Sequence, residues 1–124
     1  MRLKTDLVEL VEAALAGKLD TAEADWDRRV ALGVVMAAGG YPDEPRKGDV
    51  ISGLDATLED AHVFHAGTAL QDGKVVTSGG RVLCVTALGD SVKVAQGRAY
   101  DLASQIRFEG MQYRHDIGHR AVKR

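Results

Sequence analysis

At 124 residues the chain is long enough to bury one core and too short for two ordinary domains. Its 16 lysines and arginines against 18 aspartates and glutamates leave a formal charge of -2, which gives no electrostatic reason for a polyanionic partner and argues against nucleic acid. The one cysteine, Cys84, sits in an apolar run as a small hydrophobe, which fits a reducing cytoplasm, and no signal-peptide pattern or bilayer-length apolar run points to a membrane.

Leu3, Leu7, Leu10, Val11, Ala14 and Leu15 recur at spacings of three and four, which predicts a helix with one apolar stripe. Thr5 or Asp6 is placed to cap it and Gly17 to stop it. Residues 18–29 are polar with an isolated Trp26 and read as a connection, with a short helical turn near Thr21–Trp26. From Val30 to Ala38, small and branched apolar residues predict a buried strand that exits through Gly39-Gly40-Tyr41-Pro42. Asp43–Gly48 has the composition of a loop, Val50-Ile51 suits a short strand, and Leu54–Asp60 suits one or two helical turns.

His62–Leu70 reads as the next strand. Asp72-Gly73 ahead of Val75–Ser78 is a strong hairpin signal, because both residues tolerate the positive φ of a tight turn. A second turn at Ser78-Gly79-Gly80 feeds Arg81–Gly89, whose unbroken apolar run predicts a central strand buried on both faces. On this reading Val63–Leu88 forms a three-stranded meander. Asp90 or Ser91 caps a helix with an apolar face of Val92, Ala95, Ala99, Leu102, Ala103 and Ile106, ending near Phe108–Gly110. The tail 111–124 is polar with few anchors. The expected architecture is α+β: a mostly antiparallel sheet of roughly four or five strands, one packed C-terminal helix, and a loosely attached N-terminal helix.

Arg81 is a permanent, planar cation placed where the central strand leaves a diglycine turn. Two readings remain open: a tight turn whose arginine pairs with a surface carboxylate, or an anion-facing group made of Gly79, Gly80 and Arg81. Arg46 and Lys47 are equally compatible with a solvated loop. Other constellations fail. His62 and His65, three apart on a strand, point to opposite faces, and His115 and His119 share a face only in a helix. No GxSxG, GxGxxG or GxxxxGK[ST] pattern occurs, so the chain displays no complete catalytic apparatus.

Four segments nevertheless carry a resemblance: Leu32–Pro42, Lys47–Ile51, Val63–Thr68 and Val76–Gly89. In that order and spacing they resemble the C-terminal region of the phosphoribosylamine-glycine ligase (glycinamide ribonucleotide synthetase) family. The closing Asp116-Ile117-Gly118-His119-Arg120-Ala121 is similar to that family's last motif, except that His119 stands where Trp or Tyr is usual.

The resemblance implies an ATP-grasp enzyme of purine biosynthesis that joins glycine to 5-phosphoribosylamine through a glycyl phosphate, giving glycinamide ribonucleotide, ADP and phosphate. The family's ATP-binding and magnesium-holding groups lie upstream of every residue present here, so this chain alone is expected to bind neither cofactor and to be inactive. Residues 1–29 would be the last helix and connection of the ATP-grasp core, and 30–124 the C-terminal domain. By the same resemblance Arg81, with Gly79 and Gly80, would grip the phosphate of phosphoribosylamine or glycinamide ribonucleotide. Gly39, Gly40, Tyr41 and Lys47 would line the same cleft or serve the fold alone. The expected protein partner is the upstream ATP-grasp portion of the ligase. A split-ligase subunit, a stand-alone phosphoribose-binding domain and a truncated gene product are the alternatives.

Overall fold

A computed structural model describes residues 1–123; Arg124, the last residue of the predicted tail, lies outside the described residues. The architecture is α+β, built on a three-stranded antiparallel sheet in the order β1-β5-β2, with a separate two-stranded sheet of β3 and β4. The strands are β1 (Val30–Ala37), β2 (Ala61–His65), β3 (Thr68–Gln71), β4 (Lys74–Thr77) and β5 (Arg81–Gly89). The helices are α1 (Leu7–Leu15), α2 (Val92–Ala103) and the short α3 (His119–Val122). None is long and apolar enough to cross a membrane, among the described residues.

β5 is the central strand, as its composition predicts. It pairs with β1 from Val30↔Gly89 to Ala37↔Arg81, and with β2 from Ala61↔Ala87 to His65↔Leu83. Ser91 caps α2 by accepting from the Val94 amide at 3.2 Å. The helix lays Ala95, Ala99, Leu102 and Ala103 against Leu32, Val34, Met36, Leu83, Val85 and Ala87, all of which are buried. Small residues at helix positions 95, 99 and 103 let the helix approach the sheet closely.

The other face of the sheet is covered at the two ends of β5, where Val82 and Leu88 are buried, but open in its middle, so the expectation of a strand buried on both sides holds only in part. Cys84 and Thr86 are only half-buried. Register places Val35, Cys84 and Phe64 in one row and Gly33, Thr86 and His62 in the next. Val35 is 44% exposed and Phe64 41% exposed.

The predicted meander is also corrected. The Asp72-Gly73 hairpin forms between β3 and β4, with φ of 51° and 75° at its two turn residues. But β4 does not continue onto β5. Its free edge is taken by residues 48–51: Gly48 donates to the Thr77 carbonyl, Thr77 to the Asp49 carbonyl and Ile51 to the Val75 carbonyl. β2 takes the place beside β5, and the long strand predicted over His62–Leu70 breaks at Ala66-Gly67, where Gly67 still donates to the Arg81 carbonyl at 2.9 Å.

Three further boundaries differ. Leu54–Asp60 is not helical: Leu54, Ala56 and Leu58 alternate as half-buried residues with exposed Asp55, Thr57 and Glu59, a period of two, and Asp60 has φ 59°. α2 stops at Ala103 rather than Phe108, because Arg107 leaves the helix to pair with Ser52 at 2.8 and 3.1 Å. The turn placed near Thr21–Trp26 forms instead as a 3-10 turn at Leu19–Thr21.

α1 forms where its stripe and its Asp6 cap predict, and Gly17 follows it with φ 68°. Yet none of its residues is buried, and Leu15 is 85% exposed.

Candidate functional site

A groove of about 530 Å³ lies at one end of the sheet. Three stretches of chain line it: Val35 and Ala37 at the end of β1 with Tyr41 and Pro42 beyond it, Arg81 at the start of β5, and Gln112, Tyr113 and Arg114 from the tail. Its Val35 wall continues directly into the open face of the sheet.

β1 and β5 bring these stretches together. A register shift between Met36 and Ala37 pairs Ala37 with Arg81, and beyond it Ala38 donates to the Gly80 carbonyl at 2.8 Å. The chain then turns through Gly40, which has φ +84° and whose missing Cβ leaves room for the Glu44 carbonyl. This turn folds Tyr41 back over the diglycine. A Cβ built on Gly80 would stand 2.5 Å from Tyr41 Cδ2, so glycine at 80 is what lets the ring lie there.

The tail is firmly anchored, against the expectation of few anchors. Gln112 pairs with Ala37 through both backbone bonds, at 2.8 and 2.9 Å. Tyr113 packs against both parts of the core. The Tyr100 hydroxyl donates to the Arg114 carbonyl at 2.6 Å and accepts from the Ile117 amide at 3.1 Å, while Gln96 Nε2 donates to the Ile117 carbonyl at 2.7 Å.

Two arginines line the groove, one paired with a carboxylate and one not. Arg114 is held by Asp116 through two parallel bonds, Nε to Oδ1 at 2.8 Å and Nη2 to Oδ2 at 2.7 Å. Those hydrogen bonds raise the guanidinium pKa and lower that of the Asp116 carboxyl. Arg81 is exposed and belongs to no ion pair among the described residues. It is therefore free to take a planar, two-oxygen anion such as a carboxylate or phosphate edge.

Of the residues singled out from the sequence, Tyr41 and Arg81 line the groove. Gly80 and Gly40 stand behind it as the backbone that seats Tyr41, and Gly79 lies against Gly67, where an added Cβ would come within 3.2 Å of the Gly67 Cα. Gly39 packs on Gly110 and the Arg46 side chain, and Lys47 is exposed outside the lining. Sequence reasoning assigned no role to Gln112 or Arg114. Their one signal is alternation: a polar residue on each side of Tyr113 is the pattern of an extended segment with one face buried.

Residues 31–120 match the family described as phosphoribosylglycinamide synthetase, C domain. The chain belongs to this family. It is 62% identical over 123 residues to a phosphoribosylamine-glycine ligase of Ralstonia nicotianae, covering 99% of this chain and 29% of that protein. Over 125 residues it is 62% identical to the ligase of Pseudomonas aeruginosa, again covering 29% of it. A crystal structure of the Thermotoga maritima ligase superposes with a TM-score of 0.70 at 42% identity, over 87% of this chain and 27% of that one. The chain thus spans 29% of the length of the curated relatives it matches, the part that carries this C domain.

The donor set does not suit a divalent metal ion. No three His, Cys, Asp or Glu side chains are grouped to hold a metal ion, among the described residues. The groove presents two arginines and no carboxylate in its lining, and Asp116 beside it is already engaged by Arg114. This is chemistry for an anion rather than for a divalent cation.

Proposed function

We propose that the groove is the phosphoribosyl-binding wall of a phosphoribosylamine-glycine ligase, and that the ATP-dependent activation of glycine belongs to an upstream ATP-grasp portion. The observation that carries this reading is an unpaired arginine, Arg81, in a groove of a C domain whose relatives are named for a phosphoribosyl substrate. In the reaction, the amine of 5-phosphoribosylamine attacks an activated glycyl carbonyl, the new carbon-nitrogen bond replacing the bond to phosphate. This chain's residues bind and orient the nucleophile. Arg81 takes two phosphate oxygens through parallel N–H bonds, and the Tyr41 ring with Val35 and Ala37 forms an apolar wall that limits water around the ribose.

The upstream portion is also the partner best matched to the bare surfaces. The open middle of the sheet face adjoins the groove, and α1 offers a second apolar surface that is left exposed among the described residues. Exposed apolar area of this kind marks contact with further protein. On this reading residues 1–29 belong to the ATP-grasp core and residues from 30 onward to the C domain.

The test is Arg81→Ala in a complete ligase. Losing a charge-assisted phosphate contact should raise the KM for phosphoribosylamine by roughly 10- to 100-fold while leaving that for ATP within about twofold. An unchanged KM for phosphoribosylamine removes Arg81 from the site. Mixing this chain with a separately expressed upstream portion separates the alternatives: recovered ligase activity supports two docking parts, whereas ribose 5-phosphate binding without such recovery supports a stand-alone binding domain.

A further inference from the structure

We propose that Gln112 is the positioning residue of the groove, a clamp whose side-chain amide fixes the Ala38–Tyr41 turn and so holds the Tyr41 ring on Gly80 beside Arg81. The claim deepens the phosphoribosyl reading and rests on it for its effect on binding.

The chemistry is specific to an amide. Gln112 Nε2 lies 3.0 Å from the Ala38 carbonyl and 3.0 Å from the Tyr41 carbonyl. An amide nitrogen carries two hydrogens, so each is used once, and because both partners are acceptors only this orientation of the amide group fits. The two carbonyls bracket the turn: Ala38 opens it and also accepts from the Tyr41 amide at 3.1 Å, and Tyr41 carries the ring. Ala38 in turn donates to the Gly80 carbonyl, and the Gln112 backbone is registered on Ala37. Side chain, turn and diglycine therefore form a closed circuit around the mouth of the groove.

Tyr41 is 38% exposed, so packing encloses only part of the ring and its seat depends on the backbone beneath it. Gln112 itself lies outside the buried core. Removing its amide should loosen the groove wall without opening the core, and a glutamate at 112 would fail as an alanine does because a carboxylate has no hydrogen to donate to a carbonyl.

The experiment is proton-nitrogen NMR of the full 124-residue chain, titrated with ribose 5-phosphate. The Cδ2–Cε2 edge of the Tyr41 ring faces Gly80, so its ring current shifts the Gly80 α proton beside that edge downfield, and Tyr41→Ala supplies the unshifted reference. Both Gln112→Ala and Gln112→Glu should move the Gly80 signals toward that reference and weaken ribose 5-phosphate binding about tenfold, the loss of two neutral hydrogen bonds. The remaining core resonances should stay in place. Gly80 signals and affinity that stay at parent values in the isosteric Gln112→Glu variant overturn the clamp, as does a parent chain whose Gly80 protons are unshifted. Arg81→Ala judges the other claim separately: it should abolish binding and leave the Gly80 shift intact. If the parent does not bind ribose 5-phosphate, or if Arg81→Ala leaves binding unchanged, the phosphate reading falls, while the Gly80 shift still decides the clamp.

Discussion

α1 and α2 begin alike and end differently. Each is capped by a side chain that accepts from the first turn, Asp6 for α1 and Ser91 for α2, and each carries an apolar stripe at helical spacing. α2 buries four residues of its stripe against β1 and β5, whereas α1 buries none and leaves Leu7 and Val8 each 62% exposed. The stripe of α1 is the more hydrophobic in its side chains, built on leucines and valines where α2 uses alanines. A stripe therefore tells which face of a helix wants cover, and the rest of the fold decides whether cover is supplied. The small residues of α2 are those of a helix already close to its sheet; the large ones of α1 are left without cover among the described residues.

The comparison breaks most readily at Leu102, which is 1% exposed at the centre of the larger core cluster. Leu102→Ala should lower the unfolding free energy by about 2–5 kcal/mol, the cost of a buried leucine cavity, measured by urea denaturation. A loss below about 1 kcal/mol would mean that α2 is no more integral than α1. Gly97 sharpens it from the other side. It lies within α2, is exposed, and a Cβ added there meets no atom within 4 Å. Gly97→Ala should raise stability by roughly 0.5–1 kcal/mol through helix propensity alone. Leu15→Ala, on the bare face of α1, should change the stability of the chain by less than about 0.5 kcal/mol. Its effect should appear instead as weaker association with an upstream ATP-grasp portion, read by calorimetric titration, and equal association of the two forms would deny α1 that surface.

Local features were legible because their causes are local. The two helix caps, the Asp72-Gly73 turn and the apolar β5 run each depend on residues within a few positions of one another. What the sequence left open was the choice among distant partners. β4 and β2 are both short apolar runs able to pair with β5; in the structure β2 pairs with it, and Gly67 and Gly79 approach so closely that a Cβ on Gly67 would lie 2.8 Å from the Gly79 Cα. No pattern within either strand records that contact. Arg81 was visible as a cation after a diglycine, and Tyr41 as part of a turn. Gln112 was not, since a glutamine in a polar stretch has no signature until the carbonyls of Ala38 and Tyr41, 74 and 71 residues away, are brought to it.

The smallest effect expected is at the joint between the two regions. Asp27 accepts from the Arg29 backbone at 2.9 Å and from its guanidinium at 2.8–3.1 Å, and Arg29 reaches on to Asp60 at 2.9 Å, beside the start of β2. The Arg29 side-chain hydrogen bonds are the main reason that the Asp27 carboxyl pKa is lowered from 3.8 to about 2. A carboxyl depressed in the folded state contributes stability that is whole above its unfolded pKa and is lost as pH falls through the folded value. The window is therefore from about pH 4 down to about 2. Carbon NMR should place the Asp27 titration near pH 2, and Asp27→Asn should make the acid decline of stability shallower than in the parent across that window. Asp116, lowered by Arg114, contributes to the same decline, so the variant has to be compared with the parent rather than with a flat baseline. Acid slopes that coincide in the two proteins would show that the Asp27–Arg29 pair does not tether residues 1–29 to the sheet, leaving α1 attached by chain connectivity alone.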